Sequence, residues 1–486
     1  MASHTYDALV VGSGVSGINA AYRIREAFPE CDFAILEGRK DIGGTWSLFK
    51  YPGIRSDSDL FTFGFPWDPW DSDDAIATAP AILSYLRKVV SRHGFDKNIK
   101  LQHKVLSMNW KTVDQRWEVQ VRVGKSEKTT TMYTKFLAMG TGYYDYTQGL
   151  NTAINGIDKF QGTVVHPQFW PENLDYADKE VVIVGSGATA VTMLPAMAEK
   201  VSRITMLQRS PGYFVALPQK DSVATFIRRF LPSAWAGWLL RLKFLFAFHT
   251  FYYWCMLFPT TARKQLTAAV GKEIPKSLQL DPHFLPSYSP WEQRLCVTPG
   301  GDFFQALRSN KATVVTGHIE AVTADGIELT SGQKLPADII ITATGLKFQM
   351  FGGALLSIDN QQVSPGERFL WRGCMLEGVP NLALYMGYTN ASWTLGSDVA
   401  ARLIARIMRQ IKARGAQSVA PSVDPKLGPI EEAPLLGLKS NYIKIAMSER
   451  RVPKCGTAAP WQPRKSYFLD SWFAKFGSLK GLTFRS

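Results

Sequence analysis

The same succession of apolar and polar positions occurs twice along the chain. A short β-branched run leads into a glycine turn, and a stretch with helical periodicity follows. The first copy reads YDALVVGSGVSG at residues 6–17, and the second reads EVVIVGSGATA at residues 180–190. This order is typical of the start of a dinucleotide-binding βαβ unit. The pattern predicts an α/β protein with two Rossmann-like domains.

A second apolar strand follows in each copy, and the residues after it carry opposite charges. Residues 33–36 lead into Glu37, whereas residues 204–207 lead into Gln208 and Arg209. From the first glycine of the turn to the charged residue is 25 positions in the first copy and 24 in the second. One glycine motif is a weak signal, but two copies with matched spacing are a strong one.

Two further apolar runs end in glycine, FLAMGTG at residues 136–142 and DIIITATG at residues 338–345. We therefore expect one domain from residues 1–150 and 335–486, with a second domain, residues 158–334, inserted into it. The second domain is expected to contain a helical, apolar insertion at about residues 220–290. The tail after residue 415 is expected to wrap the surface or to cover the site.

The first glycine loop suits an unphosphorylated ribose. Gly12, Gly14 and Gly17 would let a pyrophosphate approach the backbone at a helix N-terminus. Glu37 would accept hydrogen bonds from a ribose diol and would repel a 2′-phosphate. This site should therefore hold the adenosine ribose of FAD or NAD.

The second loop suits a ribose phosphate. Ala190 replaces its third glycine, and Arg209 stands where the acidic residue would be. A guanidinium matches a phosphate bidentately, so NADPH is expected here, although a plain surface arginine remains the alternative. The predicted contacts are Gly185, Ser186, Gly187, Thr189, Arg209 and Ser210. FAD plus NADPH indicates a flavin-dependent oxidoreductase.

The amino-acid composition limits the classes of binding partner that we expect. The chain has 55 lysine and arginine residues and 41 aspartate and glutamate residues, so its net charge is +14. A positive net charge favours anionic partners. No zinc-finger or RNA-recognition motif is present, so nucleic acid is not expected. The five cysteines are scattered without a CxxC pair, which argues against a dithiol reductase and suggests a reducing, cytoplasmic compartment. No metal site is predicted.

One segment is unusually apolar. It begins at Phe244, ends at Phe258, and is flanked by arginine and lysine residues. It is shorter than the ~20 residues that span a bilayer. Three interpretations stay open: a buried helix or tunnel wall, an interfacial helix that makes the protein membrane-associated, or a subunit contact. The oligomeric state is not predicted.

Two longer motifs carry a family resemblance. FQGTVVHPQFWP at residues 160–171 resembles the FxGxxxHxxxW(P/D) fingerprint of the Baeyer–Villiger monooxygenases, which are class B flavoprotein monooxygenases. GGTWSLFKYPGIRSD at residues 43–57 is similar to the second fingerprint of that family. The resemblance covers nearly the whole chain and looks closest to the short subgroup that includes thioamide-prodrug-activating enzymes.

The resemblance implies the reaction. NADPH would reduce FAD, O2 would add to give a C4a-peroxyflavin, and one oxygen atom would be inserted next to a ketone carbonyl to give an ester or lactone. The cofactor would supply the chemistry, and the protein would supply position, charge and water exclusion. The aromatic stretch at residues 235–258 suggests a bulky, lipophilic ketone.

The resemblance also implies three catalytic residues. Arg294 in WEQRL matches the active-site arginine, whose charge would stabilise developing anions. Asp57 matches the acid that orients this arginine. A turn-capping role is the alternative for Asp57, with Asp59 as the nearby competitor. His166 is interpreted as coupling domain motion to the site, or as a structural histidine.

Further residues are expected around the flavin. Gly44, Thr45 and Trp46 lie in the second fingerprint. Asn390 and Trp393 precede a helical run at residues 398–412, whose N-terminus would stabilise a reduced flavin. Plain N-capping by Asn390 or Ser392 is the alternative. Gln293 stands where larger cyclohexanone-type enzymes commonly carry a lysine, which weakens the expected preference for NADPH.

Two other functions remain in competition. The same cofactors could support oxygenation of sulfur or nitrogen. A membrane-associated flavoprotein that does not oxygenate is the other alternative.

Overall fold

Two sheets, each opened by one of the glycine turns, organise the chain. The structure is a computed structural model that describes residues 4–126, 128–150, 152–424, 430–435, 437 and 441–486. Its helices, in chain order, are α1 (Val15–Ala27), α2 (Thr45–Leu48), α3 (Leu60–Phe63), α4 (Ala79–Arg92), α5 (Ala188–Ala198), α6 (Ser222–Phe230), α7 (Ser233–Leu257), α8 (Pro259–Glu273), α9 (Leu280–His283), α10 (Asp302–Arg308), α11 (Trp393–Ala413), α12 (Asn441–Ser448) and α13 (Tyr467–Phe476).

The strands are short apart from those at the centre of the first sheet. They are β1 (Thr5–Val11), β2 (Phe33–Leu36), β3 (Ile99–Lys100), β4 (His103–Lys111), β5 (Arg116–Val123), β6 (Thr129–Met139), β7 (Tyr144–Gly149), β8 (Thr163–Val165), β9 (Glu180–Val184), β10 (Arg203–Gln208), β11 (Phe214–Leu217), β12 (Cys296–Pro299), β13 (Ala312–Thr316), β14 (Ile319–Thr323), β15 (Gly326–Leu329), β16 (Lys334–Pro336), β17 (Ile339–Thr342), β18 (Leu346–Phe348), β19 (Leu355–Ile358), β20 (Gln361–Gln362), β21 (Leu370–Trp371), β22 (Met375–Leu376), β23 (Leu382–Leu384), β24 (Ser418–Pro421), β25 (Glu432–Ala433), β26 (Cys455–Gly456) and β27 (Leu482–Arg485).

The first sheet is built around β1, which pairs in parallel with β2 on one side and with β6 on the other. The last four residues of β1 are buried, as expected for a parallel strand covered on both faces. The long strand β6 has two roles. Its first half pairs antiparallel with β5, and its second half pairs in parallel with β1 and β23.

The second sheet has the order β13-β10-β9-β17-β8, and all of its pairings are parallel. The chain leaves the first sheet and returns to it through the antiparallel ribbon of β7 and β18. The predicted fold class is therefore confirmed: two Rossmann-like units, the second inserted into the first, with a helical insertion.

The position of the second domain boundary was predicted wrongly. The strand in DIIITATG is β17, and it pairs with β9 in the second sheet, with Ile339 opposite Val181. Sequence analysis assigned this strand to the first domain, which was expected to resume at residue 335. The correction follows from strand pairing: β17 lies between β9 and β8 and pairs in parallel with both, so the chain leaves the second sheet only after β17 and returns through β18.

The insertion at residues 220–290 contains α6 to α9. Helix α7 runs for 25 residues, and the apolar segment from Phe244 onward forms its second half. One side of this segment is buried, as at Leu245 and Cys255, whereas Phe246 and Met256 are exposed. Within the described ranges, no helix is both long enough and apolar enough to cross a membrane.

The tail packs on α11 of the first unit and beside the β7–β18 ribbon. Strand β24 pairs antiparallel with β27, α13 packs on α11, and α12 packs beside β18. Tyr442 on α12 stacks on Phe348 of β18, with ring centroids 6.4 Å apart. This contact brings the tail close to the ribbon that joins the two units.

A buried arginine anchors α7 to the first unit. Arg241 donates hydrogen bonds to the carbonyl oxygens of Phe61, Thr62 and Gly64, at 3.2, 3.2 and 2.8 Å. These carbonyls lie at the end of α3, where backbone acceptors have no partner within the helix. Asp59 caps the other end of α3 by accepting the Thr62 N–H at 2.7 Å.

We expect Arg241→Met to lower the free energy of unfolding by about 3 kcal/mol, because it leaves buried carbonyl groups without donors. Urea denaturation followed by circular dichroism measures this loss. Arg229→Met on the exposed side of α6 is the matched control, and it should change stability by no more than about 0.5 kcal/mol. Equal losses in the two variants would contradict the anchoring role.

Candidate functional site

At two glycines of the first loop the neighbouring backbone leaves no room for a side chain, whereas the third glycine borders a gap. Gly12 has a φ of +98°, and a Cβ there would lie 2.7 Å from the carbonyl oxygen of Gly140. A Cβ on Gly17 would lie 1.8 Å from the carbonyl oxygen of Gly12. By contrast, a Cβ on Gly14 would meet the backbone of Gly44 only at ordinary contact distances, 3.5 Å from its Cα and 3.8 Å from its N. The backbones of Gly14 and Gly44 therefore form the two sides of a narrow cradle.

The helix that leaves this loop can receive an anion. Helix α1 begins after Gly14, has no side-chain cap and has no acidic residue in its first turn. Its first backbone N–H groups are therefore left for a ligand. Glu37 stands beside them at the end of β2. One carboxylate oxygen accepts Ser13 N at 2.9 Å and Ser13 Oγ at 2.8 Å, and the other accepts Arg39 N at 2.9 Å.

The second fingerprint lines the opposite side of the cradle. Thr45 begins α2 directly after Gly44, and its side chain hydrogen-bonds the phenol of Tyr146. Burial raises the pKa of Tyr146 to about 12, so this phenol is neutral at ordinary pH. Trp46 follows and packs edge-on against Phe63, with centroids 5.5 Å apart.

The N-terminus of α11 meets the same cradle. Trp393 is the first residue of α11, and its indole N–H donates to Ser16 Oγ at 2.9 Å. Its ring stacks on Tyr143, 5.0 Å away. The helix starts five residues before the run that the sequence predicted. N-capping by Asn390 is wrong, because Ser392 holds the cap position and the Asn390 amide donates to the carbonyl of Lys465 at 3.2 Å.

The second glycine loop is open above its helix. Gly185 has a φ of +138°, and a Cβ there would lie 2.4 Å from the carbonyl oxygen of Ala343. A Cβ on Gly187 would meet nothing within 4 Å. Helix α5 begins after Gly187 without a side-chain cap or an acidic residue in its first turn. Ser186 Oγ donates to the carbonyl of Ser210 at 3.1 Å, which ties the loop to the end of β10.

A guanidinium stands beside this loop. Arg209 is exposed directly after β10, and in the described part of the chain it forms no ion pair. Gln293 is half-buried close to Arg294 in sequence and supplies no charge. Lys347, on β18 in the ribbon between the two units, is paired with Asp145 at 3.4 Å. Arg209 places an exposed cation directly after β10.

The YPG triplet of the second fingerprint packs on α5. Tyr51 hydrogen-bonds the side chain of Thr189. Gly53 has a φ of +76°, and a Cβ there would lie 2.6 Å from Ala196 Cβ and 2.8 Å from the carbonyl oxygen of Thr192. Only glycine fits this approach, so the motif docks the first unit directly on the second.

Asp57 and Arg294 form a fork of two hydrogen bonds. Nε of Arg294 lies 2.9 Å from one carboxylate oxygen, and Nη2 lies 3.0 Å from the other. The charge of Asp57 raises the pKa of Arg294, so the guanidinium is held as a cation. Both side chains remain about a third exposed, at 38% and 32%, which leaves the pair open to a ligand. Asp59 is instead committed to capping α3.

Three phenols surround this pair, and sequence analysis did not identify them. The phenols that interact electrostatically with Arg294 are those of Tyr143, Tyr144 and Tyr442. Burial raises the pKa of each of these phenols. Tyr143 and Tyr144 are hydrogen-bonded to each other through their hydroxyl groups. The only signal for the first two was their position directly after the glycine turn at residues 140–142. Tyr442 comes from the tail.

The loop that carries Arg294 is held by aromatic packing. Trp291 has a φ of +71°, which is costly for a bulky residue. Its buried ring contacts Phe248, Phe251 and Tyr252 of α7, with centroids 5.4 to 6.4 Å away. Just after Arg294, the thiol of Cys296 donates to the carbonyl of Ser186 at 3.8 Å. The loop therefore touches α7 on one side and the second glycine loop on the other.

His166 lies at the junction of the two units. Its Nδ1 accepts the Gln168 N–H at 3.2 Å, so Nε2 carries the proton and donates to the Gly345 carbonyl at 3.3 Å. A Cβ on Gly149 would lie 2.6 Å from Nε2. Burial lowers the pKa of His166, which favours this neutral form. Gly149 and Gly345 lie at the open end of the β7–β18 ribbon.

The fold has counterparts among solved structures. The chain superposes on an oxidized steroid monooxygenase bound to NADP with a TM-score of 0.76 and 20% identity, over 99% of this chain and 100% of that one. It superposes on a cyclohexanone monooxygenase bound to ε-caprolactone with a TM-score of 0.74 and 17% identity, again over 99% and 100%. At these identities the likeness concerns the fold alone.

Sequence comparison gives the family. The family model described as pyridine nucleotide-disulphide oxidoreductase matches residues 9–237. All five cysteines of the chain are described, and none forms a disulfide. The FAD-containing monooxygenase EthA of Mycobacterium tuberculosis is 41% identical over 482 residues, which are 98% of this chain and 97% of that protein. The chain belongs to the family of FAD-containing monooxygenases.

Proposed function

We propose that the protein is an NADPH-dependent Baeyer–Villiger monooxygenase that inserts one oxygen atom from O2 next to the carbonyl of a bulky, lipophilic ketone. The observation that carries the proposal is the Asp57–Arg294 fork, which lies where the first unit docks on the second glycine loop. Family membership supports the flavoprotein monooxygenase class. The fold shared with a lactone-bound cyclohexanone monooxygenase supports the ketone reaction.

The first loop and its cradle fit FAD. The uncapped N-terminus of α1 would bind the pyrophosphate, and Glu37 would accept hydrogen bonds from the ribose. Gly44, Thr45 and Trp46 would hold the opposite side of the cofactor. Trp393 would place the N-terminus of α11 against it, a favourable position for negative charge on the reduced ring. Bound and reduced FAD supplies the activation of O2.

The second loop fits NADPH. The open backbone at Gly185, Ser186 and Gly187 would receive the pyrophosphate at the N-terminus of α5, and Thr189 borders this surface. Arg209 and Ser210 would bind the 2′-phosphate through a guanidinium and a hydroxyl group. Because Gln293 adds no second cation, Arg209 carries the discrimination between NADPH and NADH.

Arg294 would act as a fixed cation beside the reacting atoms. Asp57 binds the edge of the guanidinium formed by Nε and Nη2, so the N–H groups on the other edge are held in a defined direction. A cation that is already oriented stabilises negative charge developing on the substrate carbonyl oxygen without reorganising. The phenols of Tyr143, Tyr144 and Tyr442 are neutral and therefore add no negative charge beside it. In this role Arg294 is catalytic, and Asp57 positions it.

His166 would serve as a positioning residue between the units. Its neutral ring joins Gly149 and Gly345 at the point where the chain enters and leaves the second unit. A rotation of that unit would alter these contacts first. The aromatic side of α7 at Trp291 supports a lipophilic substrate, since apolar walls next to the reacting centre also exclude water.

Replacing the catalytic arginine tests the mechanism. We expect Arg294→Ala to lower ester formation by about 100-fold or more, since one preorganised electrostatic group is lost. FAD content and reduction by NADPH should persist. Arg294→Lys keeps a charge but loses the fork, so it should recover only part of the activity. Arg308→Ala on α10 is the surface control. Normal ester yield in Arg294→Ala would remove this residue from its role.

The second loop can be tested by cofactor preference. We expect Arg209→Ala to raise the KM for NADPH by about 10- to 100-fold and to leave the KM for NADH unchanged, because only NADPH has a phosphate to lose. Arg203→Ala, an exposed arginine at the start of the same strand, is the matched control. Equal losses for NADPH and NADH would reject the assignment.

The reaction and the substrate class can be separated by product analysis. The holoenzyme is given NADPH, O2 and one of three substrates: a bulky cyclic ketone, a small water-soluble ketone or a thioether. We expect ester or lactone from the bulky ketone at a higher kcat/KM than from the small one. A sulfoxide without any ester would establish the sulfur-oxygenating alternative. Faster turnover of the small ketone would reject the lipophilic preference.

A further inference from the structure

Helix α7 exposes an apolar stripe along its whole length. Five exposed apolar and aromatic residues recur at intervals close to whole turns of the helix, so they lie on one face. They are Trp235, Trp238, Phe246, Tyr253 and Met256. The two tryptophans expose 64% and 54% of their surface. The opposite side of the helix is the one that Arg241 anchors. The helix is therefore apolar on an exposed side as well as where it packs on the protein.

Two neighbouring helices extend this stripe. Helix α6 exposes Phe226 and Phe230, and helix α13 exposes Leu469, Trp472 and Phe476. In each helix these residues lie three or four positions apart, on one face. We call the exposed faces of α6, α7 and α13 the aromatic platform.

Direct contacts hold the platform together. On one side of α7, Phe246 and His249 contact the ring of Phe468 at the start of α13, with centroids 5.5 and 4.9 Å apart. On the other side, Lys243 Nζ lies 2.5 Å from Asp221, which caps α6. Single exposed apolar residues such as Val113 are ordinary, but a connected set of this kind marks a binding surface.

Positive charge predominates around the platform, although Asp71 and Asp73 pair with Arg228 and Asp221 pairs with Lys243 at its α6 end. Residues 222–272 contain seven arginine and lysine residues and no aspartate or glutamate. Arg229 and Lys264 are exposed in this range, as is Lys475 on α13. Asp470, the acidic residue of α13, turns inward and accepts the hydroxyl of Tyr388 at 2.8 Å. The rim of the platform is therefore basic.

We propose that the aromatic platform docks on the surface of an anionic phospholipid bilayer, lying in its interface without crossing it. Exposed tryptophan and phenylalanine side chains favour the boundary between headgroups and acyl chains, and arginine and lysine side chains favour anionic headgroups. A second copy of the chain fits less well. A two-fold contact would bring the basic rim against itself, and like charges oppose such an interface.

Docking would have a consequence for the site. The packed side of α7 contacts Trp291, three residues before Arg294, so the docked helix would lie between the bilayer and the catalytic loop. A lipophilic ketone dissolved in the membrane would then be close to its site. This consequence rests on the proposed function, whereas the docking itself does not.

The test is co-sedimentation of the FAD-loaded protein with lipid vesicles. We expect binding to vesicles of mixed phosphatidylcholine and phosphatidylglycerol, and weaker binding to phosphatidylcholine alone or at high salt. The variant W235S/W238S/W472S should bind at least about tenfold more weakly, because it removes the interfacial anchors. The matched control V113S/L355S alters two exposed apolar residues away from the platform and should bind normally.

A charge variant tests the rim separately. R229Q/K475Q should lose most of the preference for anionic vesicles and keep residual binding to neutral ones. FAD content and melting temperature should be unchanged in all variants, since each altered side chain is exposed. No binding to anionic vesicles, or equal binding of the tryptophan variant and its control, would overturn the proposal. Sedimentation velocity that shows a dimer abolished by the tryptophan variant would assign the platform to a second copy instead. None of these readouts depends on ester formation.

Discussion

The close approach of Gly53 to α5 fixes the contact between the two Rossmann-like units, together with the hydrogen bond from Tyr51 to Thr189. No side chain fits at this point, because a Cβ would overlap both Ala196 and the backbone of Thr192. The loop that contains Gly53 continues directly to Asp57. Docking the loop on α5 therefore also carries the carboxylate to Arg294, which belongs to the other unit. The ion pair therefore forms across the same domain contact.

The two glycine loops differ in the charge beside them. Two helix N-termini point at the loops without caps and without acidic residues, so each attracts an anion. Glu37 and Arg209 then distinguish the two loops by opposite sign. Arg294 lies outside both loops, and Asp57 holds its guanidinium group in place. The phenols next to this pair are kept neutral by burial.

Helix α7 connects this site to the outside of the molecule. Its buried arginine fixes it to α3, its aromatic side supports the strained Trp291, and its third side is the aromatic platform. A single helix therefore explains why a long apolar segment is retained in a chain in which no described helix can cross a membrane. The insertion of the second unit provides the room for it, because α6 to α9 lie between strands of the second sheet and leave its parallel core intact.

The sequence by itself determined the two glycine loops, Glu37 and Arg209, because these depend on local turns and on the fixed spacing within one βαβ unit. It also determined the fold class, since strand and helix periodicity repeat along the chain. Only the tertiary structure decided which strand belongs to which sheet, and β17 is the example. The sequence pattern of a strand that is buried on both faces is the same in either sheet. It alone chose between Asp57 and Asp59, and it brought Tyr442 from the tail to Arg294. These choices depend on contacts between residues more than a hundred positions apart, for which local pattern carries no signal.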